Sequence, residues 1–298
     1  MSEFHCLPAS IPHCSASTQL SILTAVSSLC PQFRIVLAAS SNWFIRPQIW
    51  SAIVGGYGSD LVNRACDPIA SIEGALLFSD NKKIWEALEH QAKTEKETGI
   101  LIKAIDLKQL FHGTDHLSRW KQLYEGKLLT KKKWEKDLYK YRTKPVRVFA
   151  SICGAIDPDV LASFVWSDSL QGVTEHLVLA EATPVFGVEN ATLDHLYRSV
   201  ISLNNDCRSP LYLSTEAQNE LAGFWDEDRT APDGMVRSIR VSHRGKALRL
   251  ALASHVSKLA MGEAHLEEEI SGETMRNAIL LAKNSIAMTL SILVPVCA

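Results

Sequence analysis

Charge imbalance, long apolar runs and patterned cysteines are all in short supply in this sequence, and each shortage removes a class of protein. Lys and Arg (31) against Asp and Glu (33) leave a formal charge of −2, so no global field holds the chain to nucleic acid or to a membrane. Any such contact has to come from a local patch. The longest apolar run, 285–298, follows Asn284 and carries Pro295, and it falls short of the ~20 residues of a membrane helix. Met1 to Cys6 hold neither a basic region nor a continuous apolar stretch, so no secretory leader is expected and the cytoplasm is the expected compartment. The seven cysteines, at 6, 14, 30, 66, 153, 207 and 297, are odd in number and scattered, with no Cys-x-x-Cys. That argues against a disulfide framework or zinc ribbon and for reduced, mostly buried thiols.

What is present is the composition of an ordinary globular protein, 46% hydrophobic and 21% charged with 15 Gly and 11 Pro. A chain of 298 residues suits one large or two modest domains and needs neither metal nor disulfide to fold.

Apolar spacing predicts a lead-in helix over 18–29, ended by Pro31. The runs 34–39 and 49–54 read as buried strands, the second running straight into glycines. A helix is expected to start over 60–65. Another spans 80–93, capped by Ser79, with Ile84, Trp85 and Leu88 on one face. Further strands are predicted over 100–105, 146–153 and 176–180. Strands alternating with helices predict an α/β fold with a parallel sheet covered on both faces. Beyond Pro184 the periodicity turns helical over 193–203, 214–225, 244–261 and 272–293. The expected division is a tail and lead-in helix (1–32), a sheet core (33–184) and a helical C-terminal region (185–298). No solenoid repeat or low-complexity segment occurs.

The strand ending at Val54 leads into Gly55-Gly56-Tyr57-Gly58-Ser59-Asp60-Leu61-Val62, the strand, glycine loop and helix order of a P-loop, where helix N-terminal amides cradle phosphate. A working P-loop places Lys seventh to reach the β and γ phosphates and Ser or Thr eighth to hold Mg²⁺. Here those places are Leu61 and Val62, and Asp60 adds negative charge where phosphate should sit.

The runs Arg34 to Asn42 and Pro47 to Gly55 resemble the P-loop region of a family of unknown function, the helicase-like part of primase-helicase proteins of plasmids, phages and cyanobacteria. Collinear with them, Ser79 to Leu88 resembles the family's helix before its acidic strand, and Gly99 to Leu107, with Asp106, resembles that strand. Ser151 to Pro158 looks like its polar-sensor strand, and Lys246 to His255, with Arg249, is similar to its C-terminal arginine helix. The resemblance implies a P-loop NTPase-like core with a helical C-terminal part, in the setting of DNA replication on mobile elements, and suggests a ring of copies. It also shows losses. Only one carboxylate of the family's Asp-Glu pair remains, His176 stands where the family has Arg, and Asp157 stands where it has a polar Gln.

Phosphoryl transfer depends on positioned charge, and loss of one Arg finger alone costs about 10³ to 10⁵ in rate. The expectation is a catalytically degenerate protein with no catalytic residues, no metal and no required cofactor. Weak ATP binding is left to Gly55, Gly56, Gly58 and Ser59, with Asp106 and Arg249. The alternative is a divergent DNA-dependent ATPase that uses Arg249.

Segment 119–149 holds eleven basic and three acidic residues, a charge of +8 that leaves −10 for the rest. Lys131, Lys132, Lys133, Lys136, Lys140 and Arg142, interleaved with Trp134, Tyr139 and Tyr141, suit a DNA groove in which Lys meets phosphate and rings stack on bases. A solvated helix face with its aromatics turned inward is the competing reading. The expected partners are DNA, a related replication protein or further copies of the chain, with no membrane. His112 and His116 are spaced for one helix face, but Gly113 between them argues against a metal site. His5-Cys6 and His13-Cys14 read as part of a mobile terminus marked by Pro8 and Pro12. No Gly-x-Ser-x-Gly or His-Glu-x-x-His occurs, so hydrolase chemistry has no support.

Overall fold

The computed structural model describes residues 5–37, 44–94, 99–111, 120–121, 123–124, 149–166, 175–206, 210–229, 234–265 and 269–293. Its centre is a parallel five-stranded sheet: β3 (Trp50–Val54), β4 (Leu76–Phe78), β5 (Ile100–Ala104), β6 (Ala150–Ile156) and β7 (Leu177–Glu181), in the order β4-β5-β6-β3-β7. The α/β expectation holds. Continuous apolar runs such as Trp50-Ser-Ala-Ile-Val54, buried at every position, are what a strand covered on both faces requires.

Two of the shortest strands depart from the sequence reading. The run 34–39 does not join the sheet; β1 (Ile35–Val36) pairs antiparallel with β2 (Phe44–Ile45) in a separate two-stranded ribbon. Strand β4 is three half-buried residues at the sheet edge, too short to show a period.

Helices cover both faces. One carries α1 (Ala16–Leu29), α2 (Gly58–Cys66), α6 (Asn190–Asp206) and α8 (Met235–Ala260); the other carries α3 (Asn81–Thr94), α4 (Leu107–Leu110) and α5 (Pro158–Trp166). Helices α7 (Thr215–Arg229) and α9 (Gly272–Leu293) complete the C-terminal region, and α9 packs along the β7 edge. Asp80, rather than Ser79, supplies the carbonyl that accepts the first bond of α3, from Ile84 N at 2.9 Å.

The lead-in helix is not peripheral. Every residue of α1 from Ser17 to Leu29 is buried, with the sheet on one side and α2, α6 and α8 on the others. Its hydroxyls make this tolerable: Ser21 donates to Ser17 O (2.8 Å), Ser28 to Ala25 O (2.6 Å) and Ser27 to Thr24 O (2.7 Å). Two of its contacts with the sheet are polar as well, Thr24 Oγ1 to Ser51 Oγ at 2.9 Å and Ser27 Oγ to Ser151 Oγ at 2.7 Å, and its end comes close to Gly99. A Cβ on Gly99 would lie 1.7 Å from Ser28 O, so only glycine lets helix and strand meet there.

Residues 5–15 pack against the core, which corrects the mobile terminus expected from Pro8 and Pro12. Cys6, Leu7 and Ile11 are buried. Cys6 N donates to Gln19 Oε1 (2.7 Å), and Glu263 accepts from Ala9 N (2.7 Å) and Ser10 N (2.9 Å). Pro8 opens a turn, closed by Ile11 N on Pro8 O (3.0 Å), which is held by side chains from distant elements.

Candidate functional site

In open α/β sheets, ligands bind beyond the carboxyl ends of the strands, where neighbouring connections depart in opposite directions. Here that point lies between β3 and β6: the chain leaving β3 runs to β4 at one edge, and the chain leaving β6 runs to β7 at the other. The glycine loop is in the right place, and it is short.

Only Gly55, Gly56 and Tyr57 separate Val54, the last residue of β3, from Gly58, the first of α2. Gly55 sits at φ +119°, and two amides of the turn are already bonded: Gly55 N donates to Ile156 O at the end of β6 (3.0 Å) and Gly58 N to Gly55 O within the turn (2.9 Å). A Cβ on Gly58 would meet Ile53 O at 2.7 Å and Ala155 Cβ at 3.1 Å, so this glycine serves close packing of helix on strand. Ser59 is half-buried in the first turn of α2. Because α2 starts so early, Leu61 and Val62 fall on its inward face, 1% and 0% exposed. The positions that would reach for phosphate and Mg²⁺ point into the core.

Asp106 follows β5 and caps α4, its Oδ1 accepting from Lys108 N at 2.8 Å. Beside it opens a cleft of about 410 Å³ lined by Asn63, Ser79, Lys103 and Gln109 among others. Lys103 Nζ is held by Asp67 and by Asn63 Oδ1 (3.2 Å). Asp157 caps α5 in the same way as Asp106 caps α4, accepting from Asp159 N at 2.9 Å.

Arg249 does not join this group. Its Nη1 donates to Gln48 O (2.9 Å) and its guanidinium lies 4.7 Å from the Tyr124 ring centroid. Gln48 precedes β3 and Gly55 follows it; at ~3.3 Å per strand residue, roughly 20 Å separate Arg249 from the glycine turn. The arginine fastens α8 to the amino edge of the sheet, where His176 stacks on Tyr124 at 3.9 Å. The residues expected to share one nucleotide site therefore lie at opposite edges.

No family model and no curated protein matches the chain.

The sequence reading passed over a second polar cluster. Lys246 is 2% exposed and donates to Leu177 O (2.7 Å), next to His243, whose Nε2 meets the buried Ser285 Oγ at 2.9 Å. Ser285 Oγ also accepts from Leu179 N (2.8 Å), so α8, α9 and β7 are tied together. Burial pushes the Lys246 ammonium down to about 7, an effect that Glu175 opposes and Arg249 reinforces. Burial likewise holds His243 well below the ordinary histidine range. Lys246 stands in a helical run with Arg244 and Arg249, where composition alone does not tell a buried ammonium from a solvated one.

Cys6, Cys30, Cys66 and Cys153 are buried and Cys14 is half-buried, all unpaired as thiols. Among the described residues no group of three or more His, Cys, Asp or Glu could hold a metal, and no helix is long and apolar enough to cross a membrane. Lys131, Lys132, Lys133, Lys136, Lys140 and Arg142, with the pair His112 and His116, lie outside the described residues.

Proposed function

We propose that this protein works by binding and does not hydrolyse nucleotide: a degenerate, helicase- or primase-like member of the P-loop type, tied to DNA replication on mobile elements, that engages DNA or a replication partner. The observation that carries the reading is the three-residue turn between β3 and α2, with Leu61 and Val62 buried behind it. With Gly55 N held by Ile156 O and Gly58 N by Gly55 O, two amides that a longer glycine loop would turn toward a triphosphate are already bonded.

Electrostatics supports the same reading. Each sheet strand delivers a carboxylate at or just beyond its carboxyl end: Asp80 after β4, Asp106 after β5, Asp157 after β6, Asp60 after β3 and Glu181 in β7. Of the nearby cations, Arg64 is paired with Asp60 (3.1 Å) and Lys103 with Asp67. An ATP molecule with about four negative charges would enter a field of its own sign. DNA is left to the +8 segment 119–149, where Lys neutralises phosphate and releases counterions.

The test is calorimetric titration with ATP, with and without Mg²⁺, beside ATP turnover with and without DNA. No turnover is expected under any condition, and DNA affinity is expected to fall steeply with salt and on changing Lys131, Lys132 and Lys133 to Ala. DNA-stimulated turnover would overthrow the reading in favour of a divergent ATPase.

A further inference from the structure

The carboxyl edge of the sheet exposes apolar side chains as well as carboxylates. Five large hydrophobics among the described residues are well exposed, and three of them stand on this edge: Tyr57 (56%) after β3, Ile105 (60%) after β5 and Val185 (67%) after β7. Strands β5, β6, β3 and β7 are consecutive neighbours, so at ~4.8 Å per strand the three side chains form a row roughly 15 Å long. Exposed apolar groups rimmed by charge mark contact surfaces rather than open solvent faces. The rim here is anionic through Asp106, Asp157 and Glu181, with Asp60 paired to Arg64.

An occupant for this row has to be cationic and must bring rings or aliphatic groups of its own. The chain itself encodes such a segment. Residues 126–148 carry nine Lys and Arg against two acidic residues, together with Trp134, Tyr139 and Tyr141. The described residues that flank it, Tyr124 and Phe149, sit at the amino edge, beside Arg249 and Arg46 respectively. A molecule with its basic segment rooted at one edge of the sheet and an acidic, apolar row at the other is built to associate head to tail. We propose that the Tyr57, Ile105 and Val185 row, with its carboxylate rim, is a docking surface for the basic segment 126–148 of a second copy.

This proposal rests on the reading of 126–148 as a binding segment, and its test is separate from that of nucleotide or DNA binding. A fluorescein-labelled synthetic peptide of residues 126–148 is titrated into the full chain carrying Lys131→Ala, Lys132→Ala and Lys133→Ala, which removes competition from its own segment. Anisotropy is expected to show saturable binding near 50 mM salt that weakens by about tenfold or more near 300 mM. The triple change Asp106→Asn, Asp157→Asn and Glu181→Gln is expected to weaken it by about tenfold, with folding preserved because Asn caps helices as well as Asp. Tyr57→Ser is expected to weaken it by about threefold with the salt dependence unchanged, as loss of a ring contact would. A peptide with its three aromatics changed to Ser should lose affinity on the parent surface and lose no more on the Tyr57→Ser surface. For the unsubstituted protein, light scattering should show mass rising with concentration and falling with salt.

No saturable binding near 50 mM salt would overturn the proposal, as would binding indifferent to both the carboxylate and the Tyr57 changes. A labelled single-stranded oligonucleotide whose affinity falls with the edge substitutions would overturn it too, since the edge would then be a nucleic-acid surface.

Discussion

At the scale of single residues, neighbours in the glycine turn have opposite jobs. A Cβ on Gly56 meets nothing within 4 Å, whereas one on Gly58 runs into Ile53 O and Ala155 Cβ. Gly58→Ala is expected to lower stability by about 1 to 3 kcal/mol, and Gly56→Ala to change it by no more than about 0.5 kcal/mol, both read by urea unfolding. A phosphate-wrapping loop would show these effects in ligand affinity instead. Restoring the missing P-loop lysine should fail for a related reason. Leu61 is buried among apolar neighbours, so Leu61→Lys is expected to cost roughly 3 kcal/mol or more without producing ATP turnover. Lys246 supplies a third case. The folded protein gives up its proton near pH 7 and the unfolded chain keeps it to about 10.5, so between those values the unfolded state binds more protons and stability rises with pH. His243, held neutral, adds the same sign below 6.5, where the unfolded imidazole charges first. Above about 9 the buried thiols Cys6 and Cys14, pushed up to about 12, pull the other way. Lys246→Met is therefore expected to flatten the rise between about pH 7 and 9 and to stabilise the protein at pH 7, checked by thermal melts across that window.

Among the elements, those with a strong period could be read from the chain and those shaped by distant contacts could not. Strands β3, β5, β6 and β7 show as apolar runs, and the apolar spacing over 272–293 matches α9 (Gly272–Leu293). Strand β4 has three residues and no period to show. The turn length before α2 was hidden because Gly58-Ser59-Asp60 has loop composition, although the helix already begins there. Segment 5–15 looked like a tail because prolines break regular structure, while what holds it, Glu263, Gln19 and Asn277, is remote in sequence or on another element. For the site, the glycines and Asp106 were legible as residues of one edge, but nothing in the sequence could show that Arg249 belongs to the other. Leu7, 1% exposed, measures how far the amino-terminal segment counts as core. Leu7→Ala is expected to cost about 2 to 5 kcal/mol, the range of a packed position rather than of a frayed end.

For the whole molecule, one apolar cluster runs from Cys6 through the sheet to Ile286 and takes in α1, α2, α6, α7, α8 and α9. A fragment of residues 33–184 would lack α1, α6, α7, α8 and α9 and leave α2 alone on one sheet face. It is expected to show no cooperative thermal transition by circular dichroism, in contrast to the full chain. The central strand also carries a consequence for synthesis. Trp50 pairs with Ile152 and Leu177, so β3 leaves the ribosome long before either neighbour exists. At about 5 to 20 residues per second, it waits on the order of 5 to 20 seconds with both hydrogen-bonding edges open. During that interval the nascent chain is an exposed apolar ribbon, and chaperone demand should be set by how quickly residues 150–181 are translated.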